Sequence, residues 1–231
     1  MTAMNAPRPK AWLAWSSGKD SAWALHEVRR SGEVDVVALL TTYTEPHDRV
    51  SMHGVRLELL RAQAEAVGLP LVLVPIPAPC PNEIYEARME AAMAQARADG
   101  VHHVVFGDLF LEDVRAYREA QLARAGMTPV FPLWGKETTA LLDEMLAAGV
   151  EAWVTCVDPR QAPAALAGKL LTRELVAGLP PSVDRCFERG EAHTFAASGP
   201  AFAHRVAVQP GIVVERDGFV FADLVAPPPA G

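Results

Sequence analysis

Six residues near the start of the chain have the side chains and the spacing for chemistry: Ser16-Ser17-Gly18-Lys19-Asp20-Ser21. Three hydroxyls, an ammonium and a glycine in one turn are donors suited to an anion, and the glycine lets backbone N–H groups approach it closely. The string falls between an apolar run, Ala11–Trp15, and a stretch with helical spacing, Asp20–Arg30. A helix starting there offers unpaired N–H groups and the positive end of its dipole, so a phosphate site is expected. It is not a Walker A loop, because Asp20 follows Lys19 and Leu13 stands where the first glycine belongs. It is not a dinucleotide fingerprint either, since the chain contains no GxG. The competing reading is an ordinary helix start capped by Asp20 or Ser17.

Further candidates lie downstream. Gly107-Asp108 follows a short apolar run, where a carboxylate can meet a metal ion or a substrate amine; a helix N-cap is the alternative for Asp108. Arg115 and Arg118 are three apart on one expected helix, so they share a face and can clamp a carboxylate or phosphate; surface ion pairs with Glu112 or Glu119 are the alternative. Glu188, Glu191 and His193 fall in a glycine-containing turn, where the two carboxylates can bind a cationic group, accept protons or ligate metal; a solvated charged turn is the alternative. Trp134 is expected to be core. His26, His47, His102, His103 and His204 have no metal-ligand spacing.

These residues need a scaffold, and the pattern predicts one. Strand candidates are Ala11–Trp15, Asp35–Thr42, Leu71–Ile76, His103–Phe106, Pro129–Phe131 and Ala152–Thr155, all continuous apolar runs of the kind buried on both faces. Between them, helical spacing covers Asp20–Arg30, Gly54–Val67, Glu83–Ala98, Asp113–Ala125 and Glu137–Ala148. Gly32, Gly68, Gly100, Gly126 and Gly149 each follow a predicted helix, as left-handed C-caps do. The fold class expected is α/β, a doubly wound parallel sheet with a small α+β C-terminal domain. The tail holds a short helix near Leu166–Val176, strand-like pieces at Arg205–Val208 and Ile212–Glu215, and an Asp217-Gly218 hairpin turn. The boundaries expected are 10–160 for the nucleotide-binding domain and 161–226 for the smaller one, with residues 1–9 and 227–231 loose.

The chain has 231 residues, half of them hydrophobic, enough for one sizeable core plus a smaller unit. A net charge of −7 argues against sequence-independent binding to nucleic acid, while leaving room for a local anion site. Three dispersed cysteines, Cys80, Cys156 and Cys186, indicate neither a disulfide framework nor a zinc knuckle. With no apolar run long enough for a signal peptide or a membrane span, a reducing, cytoplasmic setting is expected.

Ser16 to Ser21 resembles the SGGxDS loop of N-type ATP pyrophosphatases, and the rest of the chain resembles the diphthine–ammonia ligase-like branch of that superfamily. The matching pieces, in the family's order, are Ser51-Met52-His53, Gly107-Asp108, Glu112–Glu119, Pro132-Leu133-Trp134-Gly135 and Glu188–Thr194. The resemblance implies an adenine nucleotide alpha hydrolase-like, Rossmann-like fold and ATP with Mg2+ as cofactors. It also implies adenylation of a carboxylate with release of pyrophosphate, followed by amidation with ammonia. It makes Ser16, Ser17, Gly18, Lys19 and Ser21 a pyrophosphate cradle and gives Leu40, Thr41 and Thr42 backbone contacts to adenine. Gly107 would border the nucleotide, and Asp20 and Asp108 would hold the metal and share catalysis with Glu188 and Glu191. Arg115, Arg118 and His193 would bind substrate, and a homodimer is allowed for. Phe187 and Ala192 depart from the family's usual glycine and aromatic, which leaves the acceptor's identity open. A tRNA-thiolating enzyme is the alternative within the superfamily, and a non-catalytic nucleotide sensor is the alternative outside it.

Overall fold

A computed structural model describes residues 7–228. The expectation of loose ends at residues 1–6 and 229–231 lies outside the described residues, while 7–9 and 226–228 have no regular structure.

The first sheet is built on β1 (Lys10–Ala14), whose Ala11 and Leu13 enter one core and whose Trp12 enters the other. Burial on both faces is what its unbroken apolar run predicts. β2 (Asp35–Thr44) lies parallel on one side of β1 and β5 (His103–Val105) parallel on the other. With β4 (Leu71–Ile76) beyond β2 and β6 (Thr128–Val130) beyond β5, the parallel order is β4–β2–β1–β5–β6. A two-residue strand, β3 (Arg49–Val50), pairs antiparallel with Tyr43 and Thr44.

Helices α1 (Lys19–Ser31), α2 (Leu57–Val67) and α5 (Thr138–Ala147) pack in one core cluster; α3 (Asn82–Ala98) and α4 (Glu112–Arg124) pack in the other. The five punctuating glycines all take the left-handed conformation, with φ from 64° to 83°. The two faces are covered unequally. Along α1 the side chains of Trp23, Leu25 and Val28 are buried, whereas α3 buries Met93 and Ala96 alone and α4 only Leu122. Near the strand ends, this thin cover leaves a cleft.

β7 (Glu151–Val157) corrects one expectation. The strand forms where the sequence predicts, but it joins a second, antiparallel sheet. The physical reason is that an apolar run reports burial on two faces and not strand direction. This second sheet packs against the first in one continuous core that includes Leu13, Leu25, Val154 and Phe195. β8 spans Ala192–Ser198, β9 Gln209–Arg216 and β10 Phe219–Val225, and the order is β8–β7–β10–β9. Asp217 and Gly218, at φ 54° and 79°, make the predicted two-residue hairpin turn between β9 and β10.

The predicted helix over 166–176 is not formed as one piece. A 3-10 turn at Ala164–Leu166 and a five-residue α6 (Arg173–Ala177) flank a stretch that runs beside β7. There Val154 N–H donates to the Lys169 carbonyl, and Leu171 N–H to that of Ala152. Pairing with β7 therefore wins over helical spacing. Arg205–Val208 is irregular, and the strand starts at Gln209.

Candidate active site

The chain order reverses between β1 and β5, because β1 hands on to β2 on one side and β5 returns to the other. In an open α/β sheet such a switch point is where ligands bind, beyond the carboxyl ends of the strands. The cleft opens there, with a volume of about 590 Å³.

Its floor is the loop from β1 to α1. Ser17 takes φ 71°, turning its carbonyl away from the helix, where Ala196 N–H (2.9 Å) and Gln63 Nε2 (3.0 Å) donate to it. The Ser17 hydroxyl is buried without a partner among the described residues. Ser16 Oγ accepts from Gly18 N–H and lies 3.3 Å from Ser21 Oγ. The N-cap of α1 is Gly18, whose residue has no side chain to offer, and the cap is supplied by the second sheet: Lys19 N–H donates to Thr194 Oγ1 at 3.1 Å. The alternative of a helix start capped locally by Asp20 or Ser17 is not what forms.

Lys19 is 1% exposed. Its Nζ donates to both Asp20 oxygens, at 3.0 and 2.9 Å, and to the Cys186 carbonyl. Burial works against the ammonium charge, but the Asp20 carboxylate outweighs it, and the Lys19 pKa is raised. With its ammonium paired to Asp20, Lys19 fixes the first turn of α1, and the helix N-terminus itself is well placed for an anion.

The opposite wall follows β5. A Cβ on Gly107 would stand 2.9 Å from the Asp20 carbonyl carbon and 3.1 Å from Ser21 N, so only glycine lets this segment lie against the first turn of α1. Asp108 pairs with Arg118. Nη2 donates to Oδ1 at 3.1 Å, while Nε sits 2.6 Å from Oδ2 without the alignment of a hydrogen bond, an ion contact only. Asp108 is not the N-cap of α4, which is Leu111. Arg118 stacks over Phe106 at 4.4 Å.

Glu188 closes the ring. Its Oε1 accepts from Leu109 N–H at 2.7 Å. Burial first, and then the charges of Asp20 and Asp108, push its pKa up to about 7, against the pull of the Leu109 N–H and Lys19. His193 stacks on His53 with ring centroids 4.6 Å apart. Burial pushes both imidazoles down, His53 to about 3 and His193 to about 4, so both are neutral at pH 7.

The cleft thus gathers Ser16, Lys19, Asp20 and Ser21 with Leu40, Thr41 and Thr42. Gly107, Asp108, Arg118, Glu188 and His193 line it as well. Four predicted residues lie apart. Ser17 and Gly18 act from beneath, Gly18 fitting so closely that a Cβ would meet His53 Cε1 at 3.1 Å. Arg115 pairs with Glu119 at 2.7 Å and stacks on Phe131 and the half-buried Trp134, so the expected two-arginine clamp is not formed and Trp134 is not core. Glu191 is 2% exposed, and its carboxylate accepts from Asp184 N–H (2.8 Å) and Arg189 N–H (2.9 Å), tying the loop that carries Glu188.

Sequence reasoning missed the roles of Gln63, Thr194, His53 and the Cys186 carbonyl. For His53 and Thr194 the signal was their place in the matched strings; for Gln63 it was an amide on the buried stripe of an amphipathic helix. Among the described residues, no group of three or more His, Cys, Asp or Glu side chains is arranged to hold a metal ion, and no helix is long and apolar enough to cross a membrane.

Comparison with known proteins agrees with this architecture. No curated protein matches the chain. The model described as diphthamide synthase N-terminal domain matches residues 9–129, and that described as diphthamide synthase C-terminal domain matches 137–221. With both of its domains found in order across most of the chain, the protein belongs to the diphthamide synthase family, which points to an ATP-using ligase of the PP-loop type.

Proposed function

We propose that the protein adenylates a carboxylate substrate and then amidates it with ammonia. The observation that carries this reading is the meeting, at the sheet's switch point, of a buried Lys19 at a helix N-terminus with Glu188, a carboxyl group raised to about 7. The first is suited to a leaving pyrophosphate, the second to a proton.

In the first step the substrate carboxylate oxygen attacks the α-phosphorus of ATP, and the bond to the β-phosphate oxygen breaks, giving an acyl-adenylate and pyrophosphate. Lys19, the Ser16 and Ser21 hydroxyls and the N-terminus of α1 would hold the pyrophosphate. The end of β2 from Leu40 to Thr42 would border the adenine. In the second step ammonia attacks the acyl carbon, AMP leaves, and Glu188 takes the proton from nitrogen.

The residues also fit a magnesium ion. Mg2+ keeps several of its waters, so one or two carboxylates would suffice to hold it without a protein cage. Asp20 and Asp108, whose charges together with burial disfavour ionisation of Glu188, are the two that would hold it. When bound, it would neutralise charge on the phosphates.

The thiolation alternative is weaker here, because burial pushes the Cys156 and Cys186 thiols up, away from the thiolate that sulfur transfer needs, which leaves Cys80 without a second reactive cysteine. The test is carboxylate-dependent exchange of labelled pyrophosphate into ATP, followed by ammonium-dependent release of AMP. ADP and phosphate as products, or no exchange across a broad carboxylate panel, would refute the proposal.

A further inference from the structure

Gln63 lies outside the cleft, on α2, yet it is 0% exposed and ties together three parts of the molecule. Its Oε1 accepts from Trp15 Nε1 at 3.0 Å, at the end of β1. Its Nε2 donates to the Ser17 carbonyl at 3.0 Å and to the Ala196 carbonyl of β8 at 2.7 Å. The amide can face only one way, since the reverse would set its oxygen against two carbonyl oxygens and a nitrogen against the indole N–H.

The Ser17 carbonyl is the important partner. Serine at φ 71° is strained, and such a conformation persists only where its surroundings hold it. Two donors hold this one, Gln63 Nε2 and Ala196 N–H. With that carbonyl turned back, it no longer points along the axis of α1, and the backbone N–H groups of Ser16, Ser17 and Ser21 have no protein acceptor among the described residues. The turned carbonyl frees Ser21 N–H, and with the adjacent N–H groups of Ser16 and Ser17 this leaves three backbone donors around the loop for an anion.

We propose that Gln63 is a positioning residue for the phosphate loop, fixing the left-handed Ser17 turn from behind and thereby the geometry in which the loop receives pyrophosphate. The inference rests on reading the loop as a pyrophosphate site. It predicts a loss of affinity in a protein that is still folded, which a purely structural role does not.

The test uses the full chain with inorganic pyrophosphate as probe, by calorimetric titration, on Gln63→Leu and Gln63→Glu. Gln63→Leu removes all three hydrogen bonds and should weaken pyrophosphate binding by roughly tenfold or more at temperatures well below its melting point. In Gln63→Glu, an ionised carboxylate repels the Ser17 and Ala196 carbonyls, whereas a protonated one can donate to one of them. The ratio of variant to wild-type Kd should therefore fall as pH is lowered from 8 to 5.5. A folded Gln63→Leu with wild-type affinity overturns the inference. If that variant does not fold, Gln63→Glu decides alone, and wild-type pyrophosphate affinity in it at pH 8 overturns the inference. If the wild-type chain itself binds neither pyrophosphate nor ATP, it is the nucleotide reading that fails.

Discussion

Removing the charge from Glu188 should make the ligand-free protein more stable at alkaline pH while impairing its chemistry. The carboxyl group titrates near 7 in the folded chain, against an ordinary value of 4.5. Between those values the folded state binds more protons than the unfolded state, so the contribution of Glu188 falls as pH rises through this window and is constant above it. The gap corresponds to an upper limit on the order of 3 kcal/mol, reduced where solvent reaches the carboxyl. For 231 residues, an unfolding entropy of ~2.1 cal/mol/K per residue gives ~0.5 kcal/mol/K, so 3 kcal/mol is about 6 °C in Tm. Gln at this position keeps an oxygen for the Leu109 N–H and loses the charge. Thermal melts of wild type and Glu188→Gln, without metal or nucleotide, should give a Tm difference in favour of the variant that is small at pH 5 and grows by several degrees by pH 8. Comparing the two proteins cancels the titrations of groups that do not interact with Glu188. A difference that is flat with pH, or that favours the wild type at pH 8, would refute the assignment of a raised pKa. Under the proposed mechanism the wild-type amidation rate climbs through pH 7, and that inflection is absent from the variant.

Two further perturbations separate the site from its supports. Gly107→Ala places a methyl group 2.9 Å from the Asp20 carbonyl carbon, so the first turn of α1 must move; expect ~1–3 kcal/mol lost in denaturant unfolding and at least a tenfold loss in ATP affinity. Asp223 on β10 pairs with Arg49 at 2.8 Å and with Arg56, holding the segment that carries His53 against the second sheet. Asp223→Asn should cost ~1–2 kcal/mol, measured by the denaturation midpoint, and leave pyrophosphate affinity within about twofold, because no atom of the loop is touched.

Much of the scaffold was legible because its signals are local. A glycine after each helix, an apolar run before each and an Asp-Gly turn in the tail follow from the chemistry of a few neighbouring residues, and the Ser16–Ser21 string stood out for the same reason. What could not be read was decided at long range. Thr194 caps Lys19 across 175 positions, and the Cys186 carbonyl meets its ammonium across 167. The second of these uses a backbone atom that any residue would supply, so no residue type could have signalled it. β7 shows the same limit. Its apolar run stated that two faces would be covered, and only the pairing of β8 and β10 decided which sheet it entered. Arg115 and Arg118 share a helix as their spacing requires, but Phe131 and Trp134 draw one aside while Asp108 takes the other.

The cap on α1 and the carbonyl that receives Lys19 come from the second half of the chain, and this bears on how the protein can be divided. The loop from β1 to α1 is complete only when residues 186–196 are laid over it, so a fragment ending with the first sheet would leave a buried ammonium short of an acceptor and a helix start without its cap. Exchange of N-terminal halves between relatives should then give inactive hybrids, unless the segment from Asp184 to Ala196 travels with the loop it completes.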